Sequence, residues 1–286
     1  MTQTLQRTTR ASTLAESADR IRHHILDMGE VQGQGYVGQG LGLADVLAVV
    51  YCDVARLRPE DPEWEDRDRV LLSMGHYAIA LYGALAEAGI LDVAELETYG
   101  SDDSRLPMSG MSTYTPGMEI SGGSLGHGLG LGVGMALGLR HQGRDARVIN
   151  LMSDGELDEG STWEAAMAAA HHELGRLLCV VDMNGLQADG PTSGVLRIEP
   201  VEAKWAAFGW RTVRCDGNDI PALLEAFDSL PADDERPAVV ICDTQVGRGV
   251  PFLESREKAH FIRIDEHEWE LAREALRRTA DQQELT

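Results

Sequence analysis

From residue 146 onward, short apolar runs alternate with helix-patterned stretches, and few folds accommodate that order. The runs 147–152, 177–181, 211–215 and 238–242 have the composition of strands, while 163–172, 201–208 and 221–230 carry apolar residues at helical spacing. Parallel neighbours need a crossover between them, so this alternation predicts βαβ units and an α/β fold, a parallel sheet with helices on both faces. The first third reads differently. It predicts an amphipathic helix over 14–28, a Gly/Gln-rich loop, helices near 43–54 and 78–87, and no clear strand before residue 146, only a strand-like or extended 70–72 that leads into the loop of His76. With no internal repeat and no low-complexity linker, the simplest organisation is one domain over 1–286, with a helical and loop part to about 145 and a βαβ part beyond it.

Charge and hydropathy remove several classes of function. The chain has 25 Lys+Arg against 47 Asp+Glu, a formal charge of −22, which repels nucleic acid and anionic lipid surfaces. Its longest uninterrupted apolar run, 128–139, falls well short of the roughly 20 residues a membrane-spanning helix needs. The N-terminus lacks an apolar signal core, so a cytoplasmic location is expected. Cysteines stand singly at 52, 179, 215 and 242, without zinc or redox spacing, and Cys179 and Cys242 read as core positions in strands.

Chemistry concentrates where two strand-like runs end. Ser153-Asp154-Gly155 follows the run 147–152 and leads through Glu156-Leu157-Asp158-Glu159-Gly160 into a helix, which puts Asp154 at a strand's carboxyl end. Ligands of open α/β sheets bind there. The next strand ends at Asp182-Met183-Asn184-Gly185-Leu186, with Asn184 thirty positions after Asp154. Adjacent strands would bring the two side chains together. One carboxylate and one amide oxygen make a poor calcium cage but a good partial shell for Mg²⁺, which prefers few protein ligands and several phosphate oxygens or waters. Gly155 lets the backbone approach a phosphate closely. Taken singly, Asp-Gly and Asn-Gly after strands are ordinary turn signals, and the acidic 154–159 run lacks the ligand spacing of an EF-hand.

The segment 153–190, SDGELDEGSTWEAAMAAAHHELGRLLCVVDMNGLQADG, resembles the thiamine diphosphate fingerprint of the transketolase family. Four further blocks, 66–85 (DRDRVLLSMGHYAIALYGAL), 115–139 (TPGMEISGGSLGHGLGLGVGMALGL), 203–210 and 247–253, resemble the same family in the same order, so the likeness spans nearly the whole chain. It implies thiamine diphosphate and Mg²⁺ as cofactors, with the metal held by Asp154, Asn184 and the main-chain carbonyl of Leu186. It also implies Gly155, Glu156, His76 and His260 around the diphosphate, with Gly123, Ser124 and Leu125 lining the cofactor, Leu125 opening a helix. Glu159 and Glu164 match acidic positions of a carboxylate network that crosses the family's dimer interface. The resemblance thus marks His76, His260 and Glu159 as catalytic positions.

The chain departs from the family at two substrate-facing histidines, where it has Tyr36 (in GQGYVGQG) and Ser109 (in MSG). The family's second half, which binds the pyrimidine ring and supplies the activating glutamate, has no counterpart in these residues. The resemblance therefore implies the N-terminal subunit of a split transketolase, acting with a separate C-terminal subunit in an α₂β₂ assembly on small carbonyl substrates. Two rivals share the cofactor half or its outline: the α-subunit of a 2-oxo acid decarboxylating or dehydrogenating enzyme, and a non-catalytic structural or regulatory subunit.

Overall fold

The computed structural model describes residues 2–231, 233–256 and 259–283. Five parallel strands form the central sheet: β1 (Arg69–Leu72), β2 (Val148–Ser153), β3 (Leu177–Met183), β4 (Arg211–Asp216) and β5 (Ala238–Asp243), in the order β1-β2-β3-β5-β4. Four of them are the strands expected from the sequence. The fifth corrects the expectation of no clear strand before residue 146, because β1 pairs with β2 from Arg69↔Val148 to Leu72↔Leu151. The helical first third thus contributes an edge strand to the same sheet.

Around the sheet lie α1 (Thr2–Gln32), α2 (Val37–Val49), α3 (Ala78–Glu87), α4 (Gly128–His141), α5 (Gly160–His171), α6 (Val201–Ala207), α7 (Ile220–Asp228) and α8 (Glu266–Gln283). Successive strand residues point to opposite faces, and the core divides accordingly. Ile149, Leu151, Leu178, Val180, Val240 and Cys242 pack with α1, α2, α3, α7 and α8. Val148, Met152, Leu177, Cys179, Val181, Val239 and Ile241 pack with α4, α5 and α6. Both faces are covered, which is why these strands read as continuous apolar runs instead of alternating ones.

Local signals account for the helix ends that matter. The Asp219 side chain accepts from the Ala222 backbone N–H, and Pro221 fills the first turn, so α7 starts where a cap and a preset φ coincide. α1 extends well beyond the 14–28 stretch predicted, since it packs against α2, α3 and α8. The Val37–Val54 stretch has a mean hydropathy of 1.4 and is 83% buried, which makes it the core helix under α1 and α3.

Candidate functional site

The carboxyl ends of β1, β2, β3 and β5 converge on one edge, and the loops that leave them carry Ser73 to His76, Asp154, Asn184 and Thr244. β2 and β3 are neighbours with Ser153 opposite Asp182, so the loops that follow them leave the sheet side by side. Asp154 Oδ2 accepts from the Gly185 backbone N–H at 2.7 Å. Gly185 itself has φ +73°, a turn conformation that a side chain would strain, and it swings the chain from Asn184 to Leu186. Asn184 Oδ1 accepts from the Leu186 N–H at 2.9 Å, while its Nδ2 donates to Tyr77 Oη at 2.8 Å and to Asp182 Oδ2 at 2.7 Å. Tyr77 donates to the same Asp182 oxygen at 3.0 Å, and Thr244 donates to Oδ1. Asn184 is therefore held with its amide nitrogen inward, on Tyr77 and Asp182, and its carbonyl oxygen on the Leu186 N–H.

Electrostatics fit a cation here. Asp154 is 1% exposed, and burial, reinforced by the nearby Asp182 carboxylate, pushes its pKa up to about 7. Asp182, fully enclosed, is also raised by burial. Two buried acids side by side leave an oxygen-rich spot that a hard divalent ion would neutralise, and an acid, an amide oxygen and a main-chain carbonyl are hard donors of the right kind. The space beside them is open. A Cβ built on Gly155 meets nothing nearer than Gln187 Cβ at 3.8 Å, which leaves room for a group lying against the backbone.

Facing this edge is a tight glycine contact. A Cβ on Gly75 would lie 2.2 Å from Gly122 C, and one on Gly122 would lie 2.3 Å from Leu72 O, so neither position tolerates a side chain. Gly110 N–H donates to Gly75 O at 3.1 Å and Gly123 N–H to Ser73 O at 3.3 Å. Three loops are thereby locked together, placing Gly123 and Ser124, both exposed, beside the His76 loop. Ser109 joins them: its Oγ lies 3.4 Å from where a Gly123 Cβ would be. Leu125 differs from expectation in detail, since it packs on the core in a turn ahead of α4, which begins only at Gly128.

The histidines predicted to work together do meet. His76 and His260 have ring centroids 5.5 Å apart, and Tyr36 lies edge-on to both, at 4.7 and 5.4 Å. Burial, with His260 nearby, lowers His76 to about 4, and burial lowers His260 as well, so both are neutral at pH 7. Gln39 Nε2 lies 2.9 Å from His260 Nδ1. With the amide donating to Nδ1, His260 carries its proton on Nε2. Sequence reasoning missed Gln39, Tyr77, Asp182 and Thr244, which act through contacts between distant segments and left no local pattern to find.

Glu156 requires correction. Expected at the cofactor, it is fully buried, and its carboxylate is engaged inside the protein. Oε1 accepts from Ser73 Oγ and from Gly126 N–H at 3.0 Å, and Oε2 accepts from Ser153 N–H at 3.1 Å. Its role is to tie the ends of β1 and β2 to the glycine-rich turn. Glu156→Ala strands three buried donors at about 1–3 kcal/mol each, and a loss of about 3 kcal/mol or more is expected in urea denaturation. An unchanged urea midpoint together with collapsed cofactor affinity would return Glu156 to the cofactor. Glu159, against Gly126, and Glu164 are exposed and lie outside this cluster.

A family model described as the thiamine diphosphate binding domain of transketolase matches residues 13–283. The chain is 61% identical over 258 residues to the transketolase family protein y4mO of Sinorhizobium fredii, covering 90% of this chain and 92% of that one. The chain belongs to the transketolase family. It is also 37% identical to an apulose-4-phosphate transketolase subunit of Actinobacillus succinogenes and 34% identical to the 6-deoxy-6-sulfo-D-fructose transketolase subunit SqwG of a Clostridium strain, over 92% and 91% of its own length and 96% and 94% of theirs. Among solved structures, a transketolase mutant from Pichia stipitis superposes with a TM-score of 0.85 at 28% identity, covering 91% of this chain; this chain spans 40% of that transketolase. The fold is the transketolase diphosphate-binding domain, and the chain is a thiamine diphosphate-dependent transketolase subunit of the N-terminal type. Neither the 2-oxo acid enzyme nor the non-catalytic reading is favoured by these likenesses.

Proposed function

We propose that this subunit binds thiamine diphosphate with Mg²⁺ and, with a separate C-terminal subunit in an α₂β₂ cytoplasmic assembly, transfers a two-carbon ketol unit from a ketose-like donor to an aldehyde. The observation that supports this reading is the Asp154 carboxylate, at the end of one strand, accepting from the Gly185 N–H in the Asn184–Leu186 turn that ends the adjacent strand. Asp154, Asn184 and the Leu186 carbonyl would hold the metal, and Gly155, His76 and His260 would face the diphosphate. Gly123, Ser124 and Leu125 would lie along the cofactor, Tyr36 and Ser109 along the substrate.

When bound, the cofactor supplies the electron sink for breaking and remaking the carbon–carbon bond, and protein supplies position and charge. The chain's own contribution is a set of neutral donors. His260, with its proton on Nε2, and His76, neutral because buried, can each give and accept one hydrogen bond without adding charge. Exposed Glu159 and Glu164 are free to meet carboxylates of a second active site across an interface.

The isolated chain should fold and show no turnover, since the pyrimidine wall and its glutamate would come from the other subunit. Ketol transfer from ketoses should appear on adding the C-terminal subunit, without release of CO₂ from pyruvate or other 2-oxo acids that lack a 3-hydroxyl. Transfer by this chain alone, in proportion to its concentration, would overturn the two-subunit reading.

A further inference from the structure

We propose that Phe261 is a specificity-determining residue which, together with Tyr36, forms an aromatic wall that takes a hydroxyl-poor stretch of the substrate's carbon chain. This rests on the transketolase reading above and deepens it. The segment that carries Phe261 is fixed by a two-residue antiparallel ladder, Gln34↔Arg263 and Gly35↔Ile262. The Ile264 N–H extends it by donating to Gly33 O at 3.2 Å, and Arg263 Nε adds a bond to Gln34 Oε1 at 3.2 Å. Alternation along this strand buries Ile262 and Ile264, at 2% and 5% exposure, and turns Phe261 outward, where it remains 42% exposed.

The outward ring does not stand alone. It lies 5.1 Å from the Tyr36 ring at 76°, and Tyr36 in turn lies edge-on to His76 and His260. Four rings therefore run continuously from the rim of the site to the two imidazoles. A phenyl group at such a rim offers no hydrogen bond to a sugar hydroxyl, and each hydroxyl laid on it loses its water without replacement. A methylene laid on it gains burial instead. The wall thus discriminates by hydroxylation of the chain, while hydrogen bonding is left to Tyr36 Oη and the imidazoles.

The test uses the assembled two-subunit enzyme with thiamine diphosphate and Mg²⁺, 3-hydroxypyruvate as the fixed donor, and two four-carbon acceptors, butanal and D-erythrose, which differ in their hydroxyls. Phe261→Ser should lower kcat/KM for butanal by about 10-fold, the range for losing a methylene-sized apolar contact, and leave erythrose within about twofold. Phe261→Leu should retain most of the butanal activity. Equal ratios in wild type and Phe261→Ser would overturn the proposal. So would an equal fall for both acceptors accompanied by weaker association of the two chains in sedimentation, which would make Phe261 an interface residue. Cofactor affinity, measured separately by calorimetry, should be unchanged in both variants. Failure of the wild-type assembly to transfer to either aldehyde, or to bind cofactor, would overturn the transketolase reading and this proposal with it.

Discussion

Replacing Asp154 by alanine is expected to abolish Mg²⁺-dependent thiamine diphosphate binding, by more than about 100-fold in affinity, because even partners that only orient a metal ligand cost about 10- to 100-fold when removed. The carboxylate is 1% exposed, and its pKa is pushed up to about 7 by burial and by Asp182, so on its own it is a reluctant anion. A divalent ion would reverse that preference, and without Asp154 the metal loses its only carboxylate ligand in this chain. The fold should survive the change. Asp154 accepts hydrogen bonds from the backbone N–H groups of Gly185 and Gly155, both near the surface of the loops, and no buried donor of the core depends on it. Calorimetric titration of cofactor with and without Mg²⁺, next to a thermal melt, separates the two effects. An Asp154→Ala protein that bound cofactor within a few-fold of wild type would remove the metal assignment.

What was legible in the sequence followed from periodicity and from punctuation. Four strands buried on both faces announce themselves as apolar runs, and helices with a stripe of apolar residues lie between them at the lengths a crossover requires. Because those strands are parallel neighbours, the residues after them share one edge, which is why Asp154 and the Asn184–Leu186 turn could be placed on the same edge from spacing alone. β1 showed only as a strand-like or extended 70–72, not as a clear strand, because it is four residues long and its pairing partner lies some 80 residues away, beyond three loops and two helices. Glu156 misled because a carboxylate two residues from a ligand position looks like a ligand. Only the packing of Ser73 and Gly126 around it reveals an internal tie. Phe261 is placed by a ladder joining residues more than two hundred positions apart, and Gln39 reaches His260 from α2 over a similar separation, while two residues of strand carry no periodic signature. The contacts that orient a site are non-local even where the residues it is built from are not.

The substrate preference should shift when the two departures from the family are reversed together. Tyr36 lies edge-on to His76 and His260, and Ser109 Oγ sits beside Gly123, so both face the region assigned to cofactor and substrate. Imidazole exchanges protons near neutral pH. A phenol with a reference pKa near 10 does not, and a serine hydroxyl hardly titrates at all. General acid–base assistance is typically worth about 10²- to 10⁴-fold, so the assembled enzyme should use xylulose 5-phosphate and ribose 5-phosphate poorly by a factor of that order. It should prefer a shorter, branched, deoxy or otherwise modified partner, for which the bulk of Tyr36 leaves room and the missing imidazoles are not needed. The Tyr36→His, Ser109→His double variant should raise kcat/KM for the common sugar phosphates. Each single change should give less, because one imidazole cannot serve hydroxyls at both positions. The decisive measurement is steady-state kcat/KM over a panel of phosphorylated sugars. Wild-type efficiency already equal to that of ordinary transketolases, or a double variant no better than wild type, would mean that Tyr36 and Ser109 do not set the choice of substrate.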